Sequence, residues 1–351
     1  MSHCRLSLHM ILRAKLAMWL RALLIVALVG CSASREPEAA GPDMAVLLAD
    51  RPAPFLADYG LFADPAALEP SEGLVGYDLI NPLFSDHADK TRFVFVPDGL
   101  KAAYREQGVF DLPVGSVLVK SFGYAETGKI ETRLLIHKPD GWTAYPYVWN
   151  QDHTEARYAP IGAKRDIEIA GPTGDILAFT YAVPNQNQCK TCHQAGDAII
   201  PIGPKARNLG SVQVADWQEA GILEGAPSDV ANLPSIAAGE GSVAARARAY
   251  LDINCAHCHK ADGAASNSGL WLTWEEDSPV RLGIGKHPTA AGRGAGQLTR
   301  VIEAGQSDES ILSFRMASSE PGVAMPELGR KLIDEDGVEL IHQWIEELPN
   351  D

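Results

Sequence analysis

Two short stretches constrain this chain more than anything else in it. "NQCKTCHQAG" (187–196) contains Cys189, Cys192 and His193, and "INCAHCHKAD" (253–262) repeats the pattern with Cys255, Cys258 and His259. Four cysteines and two histidines so arranged can hold a zinc ion, close two disulfides, or carry something larger. Whatever they hold limits the fold, because the chain must bring each triplet to a common centre.

The compartment narrows the choice. Residues 1–30 contain Arg5, Arg13, Lys15 and Arg21, no acid, and the apolar run "ALLIVALVG" ending at Cys31. A basic start and a short apolar core before small residues form an export signal. The run is shorter than the roughly twenty apolar residues of a membrane span. Leu28-Val29-Gly30-Cys31 resembles the bacterial lipobox, in which the cysteine is lipidated and becomes the new N-terminus. A start at Met10 would give the signal a more usual length. Residues 31–49 are expected to be a lipidated tether, small, polar and Pro/Gly-containing. By resemblance, Ser32 after the lipidated cysteine points to the outer membrane, facing the periplasm or the cell surface. Without residues 1–30 the formal charge of −15 becomes −19. Such a body does not suit nucleic acid and favours basic or neutral protein partners.

Of six cysteines, Cys4 falls in the signal and Cys31 in the lipobox, so the two CxxC pairs account for the rest. Two isolated disulfides would suit an exported protein but leave His193 and His259 without a role. Zinc-ribbon knuckles sit about 15–20 residues apart, far closer than these. CxxCH is also the attachment signature of c-type haem. Each cysteine adds to a vinyl group and the histidine ligates iron. Residues i, i+3 and i+4 share one helical face, so one macrocycle reaches all three. That reading predicts two covalent haem c groups, held by Cys189, Cys192, Cys255 and Cys258, with His193 and His259 on iron.

The pattern predicts a multidomain α+β chain: a β-rich, sandwich-like domain over 50–188 and an all-α domain over 242–351, whose helix before CxxCH and closing helix resemble the cytochrome c fold. Between them lie a haem-attachment segment and connector (189–227) and a linker (228–241). "RFVFVP", "GSVLVKSFGYA", "IETRLLIHKP", "AYPYVW", "RDIEIAG" and "ILAFTYAVP" are β-branched and aromatic runs broken by turn residues. "VADWQEAGIL" reads as a short helix. "SVAARARAYLDIN" leads as a helix into the second motif. "DEDGVELIHQWIEEL" has acids in its first turn and an apolar stripe of Val338, Ile341, Ile345 and Leu348. His342 reads as structural, and Trp271 and Trp274 as packing.

Iron with one histidine takes a further ligand or stays reactive. Met325, followed by proline before the last helix, is assigned to the second haem, with Met316 as fallback. For the first haem the sequence leaves open His87, His137, His153, a non-histidine group, or an open site. Arg315, Arg330 and Lys331 are candidate partners for haem propionates.

The order of lipobox, "NPLFSDHADKTRFVFVP", "LPVGSVLVKSF", "ETRLLI", "YVWN", "VPNQNQCKTCH" and the terminal unit resembles a family of uncharacterised bacterial di-haem c-type cytochrome lipoproteins, over about residues 50–350. The resemblance implies a gene often neighbouring one for a parallel β-helix protein, and it supplies no catalytic residue. The leading expectation is an anchored electron carrier between periplasmic redox partners. One alternative is a di-haem oxidoreductase with an open first haem acting on peroxide or another small substrate. Another is a redox accessory to a neighbouring binding protein, presenting Trp142, Tyr145, Tyr147 and Trp149.

Overall fold

Six antiparallel strands follow one another through the sheet in simple sequence order. They are β1 (Leu74–Gly76), β2 (Asp89–Phe95), β3 (Val117–Tyr124), β4 (Gly128–Lys138), β5 (Gly141–Trp149) and β6 (Ala156–Tyr158). The computed structural model describes residues 41–350 apart from 238 and 240. The export signal, Cys31 and most of the expected tether lie outside the described residues.

Both faces of the sheet are covered, which is why its strands show apolar runs and only partial alternation. One face presents Phe93, Phe95, Val117, Val119, Leu134, Ile136, Tyr145, Tyr147 and Trp149 to Leu47, Leu56, Tyr59 and Leu61. The other presents Val94, Val96, Leu118, Leu135 and Ala144 to Cys189, Leu209, Val214 and Trp217. A fully buried Leu, Val or Phe contributes about 1.5–3 kcal/mol relative to exposure, so the two layers fix the register strongly. The expected sandwich is in fact this single sheet plus a two-stranded antiparallel ribbon, β7 (Ala163–Ala170) and β8 (Ile176–Val183). Ile167, Ile169, Tyr181 and Val183 of the ribbon pack on Phe122, Tyr124 and Ile130.

The regular structure of the remaining chain is mainly helical, joined by long irregular stretches. In order come α1 (Met44–Leu47), α2 (Gln186–His193), α3 (Ser211–Glu219), α4 (Val243–Asn254), α5 (Ile311–Met316) and α6 (Glu335–Glu346). Ser242 caps α4 by accepting from Ala245 N, and Asp334 caps α6 by accepting from Gly337 N. The two helices cross at Gly337, where an added Cβ would lie 2.3 Å from the Tyr250 hydroxyl. Tyr250 Oη donates to Asp334 Oδ2 at 2.9 Å across the same crossing. Ala247, Leu251, Leu340, Ile341, Trp344 and Ile345 complete this core.

Three features of the described residues bear on the expected layout. The folded body begins inside the expected 31–49 tether: Asp43 caps α1, and Leu47 is wholly buried against the sheet. Part of the expected 228–241 linker, from Val230 to Ile236, packs against the rest of the chain. Val230 and Leu233 are buried, Leu233 N donates to Arg207 O, and Asn81 exchanges hydrogen bonds with Pro234 O and Ile236 N. Apolar Val230, Leu233 and Ile236 offset the cost of ordering that stretch. Nor do the expected β and α domains separate: the described residues belong to one compact unit. An all-α C-terminal domain is not shown as a separate body.

Candidate cofactor site

The first motif lies on α2. Asn185 Oδ1 accepts from Gln188 N at 2.9 Å, and Gln188 Oε1 accepts from Asn185 N at 2.9 Å, a reciprocal cap that starts the helix where Pro184 ends the strand. The helix turns Cys189, Cys192 and His193 to one side. His193 Nδ1 lies 2.8 Å from Ile200 O. A carbonyl only accepts, so Nδ1 carries the proton and Nε2 keeps its lone pair, the form in which histidine ligates a metal. Burial, with Lys120, His257 and Arg133 nearby, pushes the His193 imidazole down to about 3, so it is neutral at pH 7.

The second motif differs locally. α4 ends at Asn254, and Cys255–His259 continue as an irregular turn in which His259 N donates to Cys255 O at 3.0 Å. His259 Nδ1 is 3.2 Å from Ser268 Oγ. Burial, then His257 and Arg315, lowers this imidazole to about 4. Leu272 N donates to His259 O and fixes the turn from the other side.

The two motifs meet. Donor atoms of Cys192, His257 and Cys258 all lie within 4.8 Å of one another. Cys258 Sγ is 3.8 Å from Thr191 O. His257 Nδ1 is buried without a hydrogen-bond partner. The four described cysteines are free thiols. A hydrogen bond from Cys258, with His257 adding to it, holds Cys192 below the ordinary thiol range and pushes Cys258 up. Burial raises Cys189 to about 11 and Cys255 to about 12.

A cavity of about 100 Å³ opens beside them. Cys189, Cys192 and His193 line it from α2, and Met316, Met325 and Val338 from the helical half. Arg330 does not present its guanidinium to this space as a free cation. It donates to the carbonyls of Met316, Ser318, Met325 and Leu332 at 3.1, 2.9, 2.7 and 2.9 Å, and so holds the Met325 loop. Arg315 likewise donates to Val323 O at 2.8 Å. Asp86 Oδ1, from the loop before β2, accepts from Lys331 N and Leu332 N at 2.6 and 2.7 Å. Lys331 itself is exposed.

None of the three sequence candidates for the first iron's further ligand lines this cavity. His87 is exposed and meets the edge of Phe84. His137 stacks on Trp142 at 4.7 Å, with Nδ1 2.7 Å from Leu112 O. His153 has Nδ1 3.0 Å from Lys129 O. The aromatic set proposed for a binding surface is mostly core: Tyr145, Tyr147 and Trp149 are buried. Trp271 lies under the Arg281 guanidinium, and Trp274 packs by Ile253.

The sheet contributes what the sequence did not announce. Lys90, Lys120 and Arg133 line the same cavity. Burial, then Arg92 and Arg133, lowers the Lys120 ammonium to about 7, and the same causes lower Lys90 to about 8. His257, between the two cysteines of the second motif, was also missed. Its signal was its type, a third ligand-bearing side chain inside the motif.

Compared with protein-family models, curated proteins and solved structures, the chain matches none. Among the described residues no helix is long and apolar enough to cross a membrane.

Proposed function

We propose that the chain is an exported, lipid-anchored c-type cytochrome that holds two haems and carries electrons between periplasmic protein partners. The observation that carries this reading is the convergence of the two CxxCH motifs. Cys192 and Cys258 approach each other beside a cavity that Cys189, His193 and Met325 also line. The donor set fits the group. The thiols are unpaired, and His193 is held in the tautomer that frees Nε2. Cys189 and Cys192 would hold one haem and Cys255 and Cys258 the other, with His193 and His259 as axial ligands. Met325 is assigned to the second iron on its Met-Pro loop before the last helix; the cavity it lines is shared with Cys189, Cys192 and His193, and Cys255, Cys258 and His259 are not among its lining residues. Haem supplies a one-electron couple when bound, and methionine ligation raises its potential. The chain's own residues set orientation: Ile200 O and Ser268 Oγ steer the two imidazoles, and Arg330 steers the methionine loop.

The test is expression of the mature chain with haem maturation, a haem count per chain, and exposure of the reduced protein to carbon monoxide. Two low-spin haems indifferent to carbon monoxide are expected of a pure carrier. Two haems with one binding carbon monoxide favour the oxidoreductase reading, with the reactive iron at His193. One haem or none overturns the proposal.

A second reading rests on the Cys192–His257–Cys258 cluster. Two thiolates and an imidazole suit zinc. Stoichiometric zinc in place of haem absorbance would select it.

A further inference from the structure

We propose that Lys90, Arg92, Lys120 and Arg133 form a carboxylate-binding wall on the cavity face of the sheet. Register places three of them in one row: Arg92 on β2 opposes Lys120 on β3, which opposes Arg133 on β4. Lys90, two residues before Arg92, points to the same face. Like charges directly opposite one another across strands destabilise a sheet, and burying them unpaired costs more.

Their own chain gives the four a single contacting carboxylate; Asp86 and Asp89 act on Lys90, and Glu131 on Lys120, only from beyond contact distance. Among the described residues only Arg133 of the four pairs with a carboxylate within 4.0 Å: Glu131, at 2.5 and 2.7 Å. Glu131 is fully buried and already accepts from Tyr181 Oη at 2.6 Å. Arg92 is 5 % exposed, its Nε has no partner, and its Nη1 reaches only Lys90 O at 3.2 Å. Arg92 lines a second cavity of about 100 Å³ that shares Lys120, Arg133 and His193 with the first. So a buried guanidinium whose Nε has no partner, and two ammonium groups with no carboxylate within 4.0 Å, line the two cavities. Planar guanidinium and ammonium donors in a row suit carboxylate oxygens.

Two sources supply that chemistry. One is the propionate pair of a haem attached at Cys189 and Cys192, which line the same cavity; this source rests on the di-haem reading. The other is a diffusible small carboxylate, and the wall itself stands without the haem reading.

The experiment uses the full mature chain after its haems have been counted. Succinate is titrated calorimetrically, and both midpoint potentials are measured, for the wild type and for Lys120→Gln, Lys90→Gln and Lys120→Arg. Lys164→Gln, an exposed ribbon lysine, is the control. If haem propionates occupy the wall, succinate does not bind, and Lys120→Gln lowers one midpoint potential and leaves the other. The direction follows because losing a nearby cation favours the ferric form. Lys120→Arg restores the wild-type value, which a merely structural role would not. If the source is diffusible, succinate binds saturably, and Lys120→Gln and Lys90→Gln each weaken it on the order of tenfold. Neither response, with the variants folded by circular dichroism, overturns the wall. A haem count below two removes the di-haem reading, and the succinate titration still decides the wall.

Discussion

Two groups of buried cations lie in this molecule, and they are treated differently. Around α4, Lys205 and Arg207 surround Asp252, with distances of 3.2 and 3.0 Å, and Arg207 also reaches Glu275 at 2.6 Å. Trp274 N completes Asp252 at 3.1 Å. There each cation has its anion within the chain. On the sheet, Lys90, Arg92 and Lys120 have none among the described residues. The first group ties the connector after α2 to α4 and is spent on structure. The second is left uncompensated, as a surface is when its partner arrives from outside. Charge count alone would not separate them; the position of the carboxylates does.

The comparison is broken most severely by Asp252→Asn. That change strands the Lys205 ammonium, leaves Arg207 with Glu275 alone, and is expected to cost about 3–5 kcal/mol, read by urea unfolding. An equal loss from Lys120→Met would erase the distinction. In the haem-free chain, Lys120→Met is instead expected to be neutral or stabilising by about 1 kcal/mol. In the haem-loaded chain its sign reverses to a loss of about 1–2 kcal/mol, since a charge-assisted bond is then removed. The same unfolding curves check both.

Two pH experiments sharpen the contrast with smaller effects. Burial alone would raise Asp252, but Lys205 and Arg207 outweigh it and hold its carboxyl below the usual range. A depressed carboxylate adds stability above its unfolded value of about 3.9, and this is lost as pH falls through the folded value. The acid limb of wild-type stability should therefore be steeper than that of Asp252→Asn. Lys120 runs the other way. Its folded value of about 7 lies below its ordinary 10.5, so between those limits the unfolded state binds more protons and stability rises with pH. The haem-free wild type should gain on Lys120→Met between pH 7 and 9; parallel curves would contradict it.

Local features were legible in the sequence. Ser242 and the acids at Glu335 and Asp336 marked the starts of α4 and α6, and the β-branched runs marked the strands, because caps and periodicity act over a few residues. The i, i+3, i+4 spacing put the first triplet on one helical face. What escaped was non-local. Nothing near Lys120 says that Arg92 and Arg133 flank it, because strand register is decided by the packing of two faces at once. Nothing near Cys192 names Cys258. The 228–241 stretch looked like a linker by composition, yet Val230 and Leu233 found apolar partners far along the chain. His87, His137 and His153 were reasonable ligands by type, but tertiary position places each outside the cavity.

Asp86 leaves one practical consequence. Its carboxylate holds two amides of the Met325 loop's exit, while Asn254 Oδ1 accepts from Phe84 N at 2.8 Å a few residues earlier. The helical segment is thus not a portable cassette. Cut free at residue 241 and transplanted, it would carry two orphaned N–H groups beside its methionine and a bare Asn254. A gene fusion or a domain shuffle at that boundary would inherit the motif without the brace that steadies it.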